Sequence, residues 1–313
     1  MSATVLRPLP IGRWARLRDS DLLHNFLHSP VAIISALIGL IFVIGAVFAP
    51  WIAPHDPFNV ATLSLLDSFK PPVPAAGSEW SYVLGTDSQG RDMLSAIMFG
   101  TRLSLVVGLS AVIFAVVLGV AIGLLAGYAG GFVDSLLMRA ADVQLTYPSL
   151  LMALIIAGVI AAVLPADIRG QAEMYVVIFA IGISRWPQFA RTVRGSTMVE
   201  RNKDYVAAAR VIGLSRVRIM STHILPNVMG PVLVIGTLTL GIAILDEATL
   251  SFLGVGLPTT QPSLGTLIRI GDDFLYSGQW WVTIFPGLAL VLIVLSINLL
   301  GDWMRDALNP RLR

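Results

Sequence analysis

Phosphate chemistry in this chain would have to run through Lys70 or Lys203, the only two lysines among its 313 residues. A phosphate-gripping loop needs glycine before its lysine and Ser or Thr after it. Lys70 follows Phe69 and Lys203 follows Asn202, so neither can serve. The four histidines, His24, His28, His55 and His223, contain no His-Glu-x-x-His pair, which excludes a zinc protease site of that type. Without cysteine there is no thiolate metal site, disulfide framework or thiol nucleophile, and no Gly-x-Ser-x-Gly elbow is present. The expectation is a chain with no catalytic residue, no metal ligands and no bound cofactor. Two polar groups of another kind remain. Asp246 and Glu247, followed by Ser251 and Phe252, end an apolar run, and a basic segment extends from Asp204 to Asn227.

The elements that carry these residues are set by composition. Hydrophobic residues make up 56% of the chain and charged ones 13%, with mean hydropathy +0.80. Soluble domains carry about 25% charged residues. Lipid is therefore the solvent for most of this chain. The first apolar run, residues 31–50, is uncharged and long enough for a hydrocarbon core about 30 Å thick. Further runs cover 103–127 and 149–164, the latter borrowing a turn upstream across Pro148. A fourth starts near Met174 and reaches Ala190 with Arg185 inside it, a fifth covers 228–245 and a sixth 281–300. The fold expected is an all-α integral membrane protein with six transmembrane helices and both termini on one side. None of the runs has a carboxylate or lysine near its middle, and Asp246 and Glu247 fall near the outer end of the fifth. That argues against an ion-coupled carrier or channel, the alternative reading, because such proteins place ionisable groups there.

Positive charge supplies the orientation. With the N-terminus, the second and fourth connections and the C-terminus placed in the cytoplasm, that side holds 16 of the 21 basic residues, Arg185 counted among them. Lys70, Arg91, Arg102, Arg169 and Arg269 stay outside. The asymmetry follows the positive-inside rule with both termini cytoplasmic, and Trp51, Trp280 and Trp281 fall where outer interfacial anchors belong. The first run is longer than the core of a signal peptide and ends in Ala49-Pro50, so it reads as an uncleaved anchor. The chain divides into a cytoplasmic segment 1–30, the first helix 31–50, an external loop 51–102, a five-helix core 103–301 with a cytoplasmic loop at about 191–227, and a tail 302–313. Asp302, Arg305 and Asp306 are spaced to pair on one helix face.

The cytoplasmic loop is the most informative segment. Asp204 to Ile212 favours a helix, and Gly213 suits its left-handed cap. Ser215 can cap a second short helix, whose extent Pro226 limits. Ala207, Ala208 and Ala209 allow another backbone to approach closely. These features fit a docking element for a cytoplasmic partner, and also an amphipathic linker lying on anionic headgroups.

The segment resembles the EAA loop of ABC importer permeases, carried here by Ala207, Ala208, Ala209, Gly213, Leu225 and Pro226. Ala207 stands where that family often has Glu, and Asp204 lies one helical turn earlier. The stretch from Leu84 to Arg102 is similar to the LGTD-x-x-GRD-x-x-S signature of dipeptide, oligopeptide and nickel permeases, through Gly85, Thr86, Asp87, Gly90, Arg91, Asp92 and Ser95. Ala53 to Pro57, Glu247 to Gly256, Pro262-Ser263 with Gly265, and Phe285 through Leu308 extend the likeness along nearly the whole chain, with Leu264 where Trp is expected. The resemblance is to the C-type permease subunit.

That resemblance implies a bacterial inner-membrane, multi-pass subunit working by alternating access. Its partners would be a B-type permease chain in a heterodimer, two nucleotide-binding subunits carrying ATP and Mg, an extracytoplasmic solute-binding protein and membrane lipid, with no nucleic acid. Coupling to the ATPase falls on Asp204, Tyr205, Ala207, Ala208, Ala209, Arg210, Gly213, Leu214 and Pro226. Asp246, Glu247, Ser251 and Phe252 are candidates for the translocation path or outer gate. The family's solutes include short peptides, nickel chelates, glutathione-like peptides and opine-like or sugar-derived compounds, selected largely by the binding protein.

Overall fold

The computed structural model describes residues 25–59 and 63–307. Arg7, Arg13, Arg16, Arg18, Arg311, Arg313 and the outer parts of the two terminal segments lie outside the described residues. Among the described residues the chain is helical, with a single bridge between Thr86 and Asp92 in place of any strand. The long helices are α1 (Pro30–Val47), α2 (Met93–Ala129), α3 (Gly131–Leu145), α4 (Ser149–Val163) and α5 (Ala166–Glu200). After them come α6 (Asp204–Val211), α7 (Leu225–Phe252), α8 (Leu264–Asp272) and α9 (Trp281–Ala307).

Local chemistry sets several boundaries. Ser29 caps α1, with Pro30 in its first turn. Asp92 caps α2 by accepting the Ser95 N–H at 2.9 Å. The Phe252 end of α7 closes in a Schellman turn, with Val255 N–H on Leu250 O at 3.0 Å and Gly254 at φ +83°.

Among the described residues four helices are long and apolar enough to cross a membrane: α1, α2, α9, and α7 together with the turns preceding it from Arg216. The pair α3 and α4 passes the same test only jointly, bent by 92°. The third run therefore does not borrow a turn across Pro148. Proline disfavours helical geometry in the residue before it, and the chain turns there, leaving α4 with 15 residues. Helix α5 spans 35 residues but is not among the helices apolar enough to count by composition. Apolarity alone thus yields four spans, or five with the bent pair, against the six expected.

The core is organised around α2 and α5, which run side by side in the same direction. Gly119, Gly123 and Gly127 form the α2 side of the seam. A Cβ at Gly123 would lie 2.5 Å from Ala190 O and 2.8 Å from Val193 Cβ. Small residues one turn apart let helix backbones touch. Gly108 does the same against Ile244 of α7.

Three expectations need correction. Trp281 is buried, and its indole N–H donates to Thr86 O at 3.0 Å, so it is an internal strut rather than a lipid anchor. Pro226 does not stop the second loop helix. Arg216–Arg218 passes through a π turn, Ile219–Ile224, straight into α7. The widened turn lies just before the proline, whose ring and missing N–H an α ladder would not accommodate. Among the described residues Asp302, Arg305 and Asp306 form no ion pair; Trp303 there packs edge-on against Phe26 at 5.1 Å.

Gly123→Val should force α2 and α5 apart, costing about 1–3 kcal/mol as overpacking does. Gly158→Ala in α4, where a Cβ meets nothing within 4 Å, should leave stability equal or slightly higher. Thermal unfolding of the two purified variants in detergent checks both.

Candidate functional site

The loop from Asp204 to Asn227 folds as a short helix, a glycine turn and a bridge into α7. Helix α6 ends in a second Schellman turn, with Leu214 N–H on Ala209 O at 3.1 Å, Gly213 N–H on Arg210 O at 3.0 Å, and Gly213 at φ +80°. Ser215 caps the next turn through the Arg218 N–H. Val206, Ala209, Ile219 and Ile224 are buried and fix the loop to the bundle. The opposite face is open. Asp204, Ala207, Ala208, Arg210 and Gly213 are exposed, and Val211, Ile212 and Val217 show 87%, 74% and 70% of their surface. Apolar side chains this exposed beside small residues make a surface of the kind that meets a protein partner or lipid.

Tyr205 ties the loop to its neighbours. Its hydroxyl donates to Glu200 Oε2 at 2.6 Å and accepts from Asn227 Nδ2 at 3.2 Å, linking the end of α5 to the first turn of α7. Burial and the Glu200 bond raise the Tyr205 hydroxyl above its usual range. Lys203, bonded to Glu200 at 2.7 Å, is raised by that carboxylate. Asp204 sits in the first turn of α6, where a negative charge suits the helix dipole. Arg201 reaches the end of α2, donating from Nη1 to Gly127 O at 2.9 Å. Pro226 lies exposed in the first turn of α7 and Leu214 is half-buried.

The loop before α2, read from the sequence as the outer one, is a built structure. Asp87 is wholly buried and Arg91 almost so, joined Nε to Oδ2 at 2.6 Å. The second Asp87 oxygen accepts the N–H groups of Gln89 at 2.8 Å and Arg91 at 2.9 Å. Arg91 also donates to Thr259 O at 3.3 Å, which draws in the loop after α7. Gly85, at φ +78°, and Gly90, at φ +75°, lie so close to Lys70 O and Ser64 O that a Cβ would fall 2.5 and 2.3 Å from them. Thr86 accepts the Lys70 N–H at 2.8 Å. Lys70 bonds Asp67 and Glu79, which raise its ammonium well above the usual range, and Lys70 in turn holds the Asp67 carboxyl below its usual range. These residues brace the entrance of α2 and are enclosed by their own contacts.

Asp246 and Glu247 lie inside the continuous helix α7. Neighbours on a helix point about 100° apart, so the two carboxylates serve different contacts. Glu247 is fully buried. Ser104 of α2 donates to Oε2 and Ser251 to Oε1, each at 2.7 Å. Those hydroxyls in turn accept the Leu264 and Leu257 N–H groups, joining α2, α7 and the start of α8. Phe252 is partly exposed at the end of α7.

Asp246 faces α5. Arg185 donates from Nη2 at 2.6 Å and from Nε at 3.0 Å, both to Oδ2. Arg185 is therefore no cytoplasmic-loop charge. It stands within α5, well before its Glu200 end, and sequence reasoning missed it as a site residue. An arginine inside an otherwise apolar run was the available signal. Gln188, one turn on, donates to Thr239 Oγ1 at 3.0 Å. A cavity of about 120 Å³ opens beside them at the α3–α4 bend, lined by Gln144, Tyr147, Ser149, Ser184, Arg185 and Gln188.

Comparison with known proteins agrees with this arrangement. Residues 119–313 match the family described as "Binding-protein-dependent transport system inner membrane component", and residues 20–72 match "N-terminal TM domain of oligopeptide transport permease C". The di/tripeptide transport system permease protein DppC of Pseudomonas aeruginosa is 40% identical over 289 residues, covering 92% of this chain and 91% of that protein. The dipeptide transport system permease protein DppC of Escherichia coli K12 is 40% identical over 290 residues, covering 93% and 92%. Among solved structures, a chain of the inward-facing MetNI methionine ABC transporter superposes with TM-score 0.54 at 18% identity, covering 69% of this chain and 98% of that one. That likeness concerns the fold.

Asp87→Asn should leave Arg91 buried without its countercharge. Breaking a buried pair from one side costs about 3–5 kcal/mol. The expected result is a markedly lower melting temperature in detergent and new protease sensitivity in the outer loop.

Proposed function

Because this chain belongs to the family of binding-protein-dependent transport system inner membrane components, we propose that it is the C-type permease of an ABC importer for peptide or peptide-like solutes. It forms half of the transmembrane path in a bacterial cytoplasmic membrane. A B-type permease forms the other half, and an extracytoplasmic binding protein delivers the solute. Two ATPase subunits, which carry the ATP and Mg, drive alternating access. The topology that suits this role is six spans with both termini cytoplasmic. Helix α5 serves as the fourth span, its charges turned toward protein rather than lipid.

The observation that carries the proposal is the loop from Asp204 to Val217. Its inner face is locked to α5 and α7, while its outer face displays small and apolar side chains that no described residue covers. Such a rigid knob transmits a push without dissipating it. An ATPase groove closing on Ala207, Ala208 and Val211 would move the ends of α5 and α7 through Tyr205. Ala207 offers no carboxylate to that groove, so docking here relies on shape and apolar contact, with Asp204 the nearest acid.

Co-expression with the genomic neighbours, extraction in mild detergent and an ATPase assay test the proposal. Wild type should co-purify with ATPase activity. Ala208→Trp, at an exposed position, and Gly213→Pro, which cannot adopt φ +80°, should each lower recovery of the ATPase-bearing complex or its solute-stimulated activity at least tenfold. Purification of the wild-type chain without any ATPase partner would refute the importer reading and favour ion-coupled transport.

A further inference from the structure

Arg185 and Asp246 form an ion pair between two helices in the apolar part of the bundle, and the coupling loop makes no use of it. The pair is not sealed. Their side chains keep 14% and 9% of their surface, whereas Glu247 one residue on keeps none. Arg185 also begins a polar stripe. Arg185, Gln188, Thr192 and Ser196 recur at helical spacing on α5, and all four are partly buried rather than sealed. Polar side chains on one face of a span meet either protein or a water-filled cavity, since hydrocarbon does not tolerate them. Here the cavity of about 120 Å³ at the α3–α4 bend opens on that face, with Gln144, Ser149 and Ser184 at its walls.

A solute with a free amino and a free carboxyl terminus faces a specific difficulty in such a path. Each end must shed water with no countercharge at hand. An arginine fork matches a carboxylate bidentately, and a carboxylate accepts from an ammonium. Two extended residues span about 7 Å, so one dipeptide can reach both partners of an opened pair. One ion pair then becomes two, with no net charge change. This needs a pair that is accessible, flanked by neutral hydrogen-bonding groups and able to separate. Asp246 spends a single oxygen on Arg185, and Gln188 and Ser184 stand beside the guanidinium on the same helix.

We propose that Arg185 and Asp246 form a zwitterion-exchange site on the translocation path, Arg185 taking the carboxylate of a short peptide and Asp246 its ammonium. The proposal rests on the peptide-importer reading. It assigns the pair to turnover and leaves solute capture to the binding protein.

The test uses the complete complex, with ATPase subunits and binding protein, in proteoliposomes and follows ATP-dependent uptake of labelled dialanine. Arg185→Gln with Asp246→Asn removes both charges and strands neither. Arg185→Asp with Asp246→Arg keeps the pair and its tie between α5 and α7 but reverses its polarity, so it remains informative if the neutral form fails to assemble. Both should lower maximal uptake at least tenfold with KM unchanged, and Arg185→Lys with Asp246→Glu should recover most of it. Wild-type turnover in the neutral form, or in the reversed form, would reduce the pair to a helix tie and overturn the proposal alone. Absence of ATP-dependent dialanine uptake in the wild-type complex would overturn the peptide-importer reading and this proposal together.

Discussion

The close seam between α2 and α5 is the contact on which the other elements depend. At Gly119, Gly123 and Gly127 the two backbones approach so closely that any Cβ would collide with Phe189, Ala190 or Thr197. Lipid offers no hydrophobic drive to hold helices together, so packing of this kind must supply the association. Because the two helices run in the same direction, the seam aligns their ends on one side. There Arg201 closes the last turn of α2 by taking the carbonyls of Gly127 and Tyr128, immediately before the loop that leads to α6. The position of the loop is thus inherited from the seam.

From that anchor the loop is rigid for identifiable reasons. Its glycine turn satisfies the carbonyls of α6, its apolar underside is buried, and Tyr205 joins it to both flanking helices. The π turn before Pro226 makes the second half of the loop continuous with α7. A displacement of α6 has little slack to lose before reaching the bundle. At the far end of α7 the same helix carries Asp246 and Glu247, so one element joins the loop to the acidic groups.

Those two acids divide their work through helix geometry. Glu247 points to α2 and the returning segment, where serine hydroxyls and backbone N–H groups enclose it, and it serves architecture. Asp246 points to α5 and meets a cation that remains reachable from a cavity. The Asp87–Arg91 pair of the loop before α2 is of the first kind, buried, with the second Asp87 oxygen taken up by neighbouring N–H groups. Among charges removed from water, residual access separates a site from a brace.

The sequence by itself determined what depends on nearby residues and on the solvent. Composition required lipid and long apolar runs required helices. A glycine after Asp204–Ile212 required the left-handed cap that Gly213 makes. The family motifs were legible because turn glycines, capping acids and buried pairs four residues apart are local devices, as in Asp87 and Arg91. The tertiary structure alone decided what joins distant segments. Nothing local to Arg185 or Asp246 announces a pair 61 residues apart, and Arg185 read alone looks like a stray cytoplasmic charge. Trp281 looked like an anchor until Thr86 stood beside it. Helix α5 reads as a poor span by composition, and only the packed structure shows its arginines paired with acids on other helices, Asp134 and Asp142 on α3 and Asp246 on α7. A charge is costly or harmless according to what faces it, and only the packed bundle supplies that face.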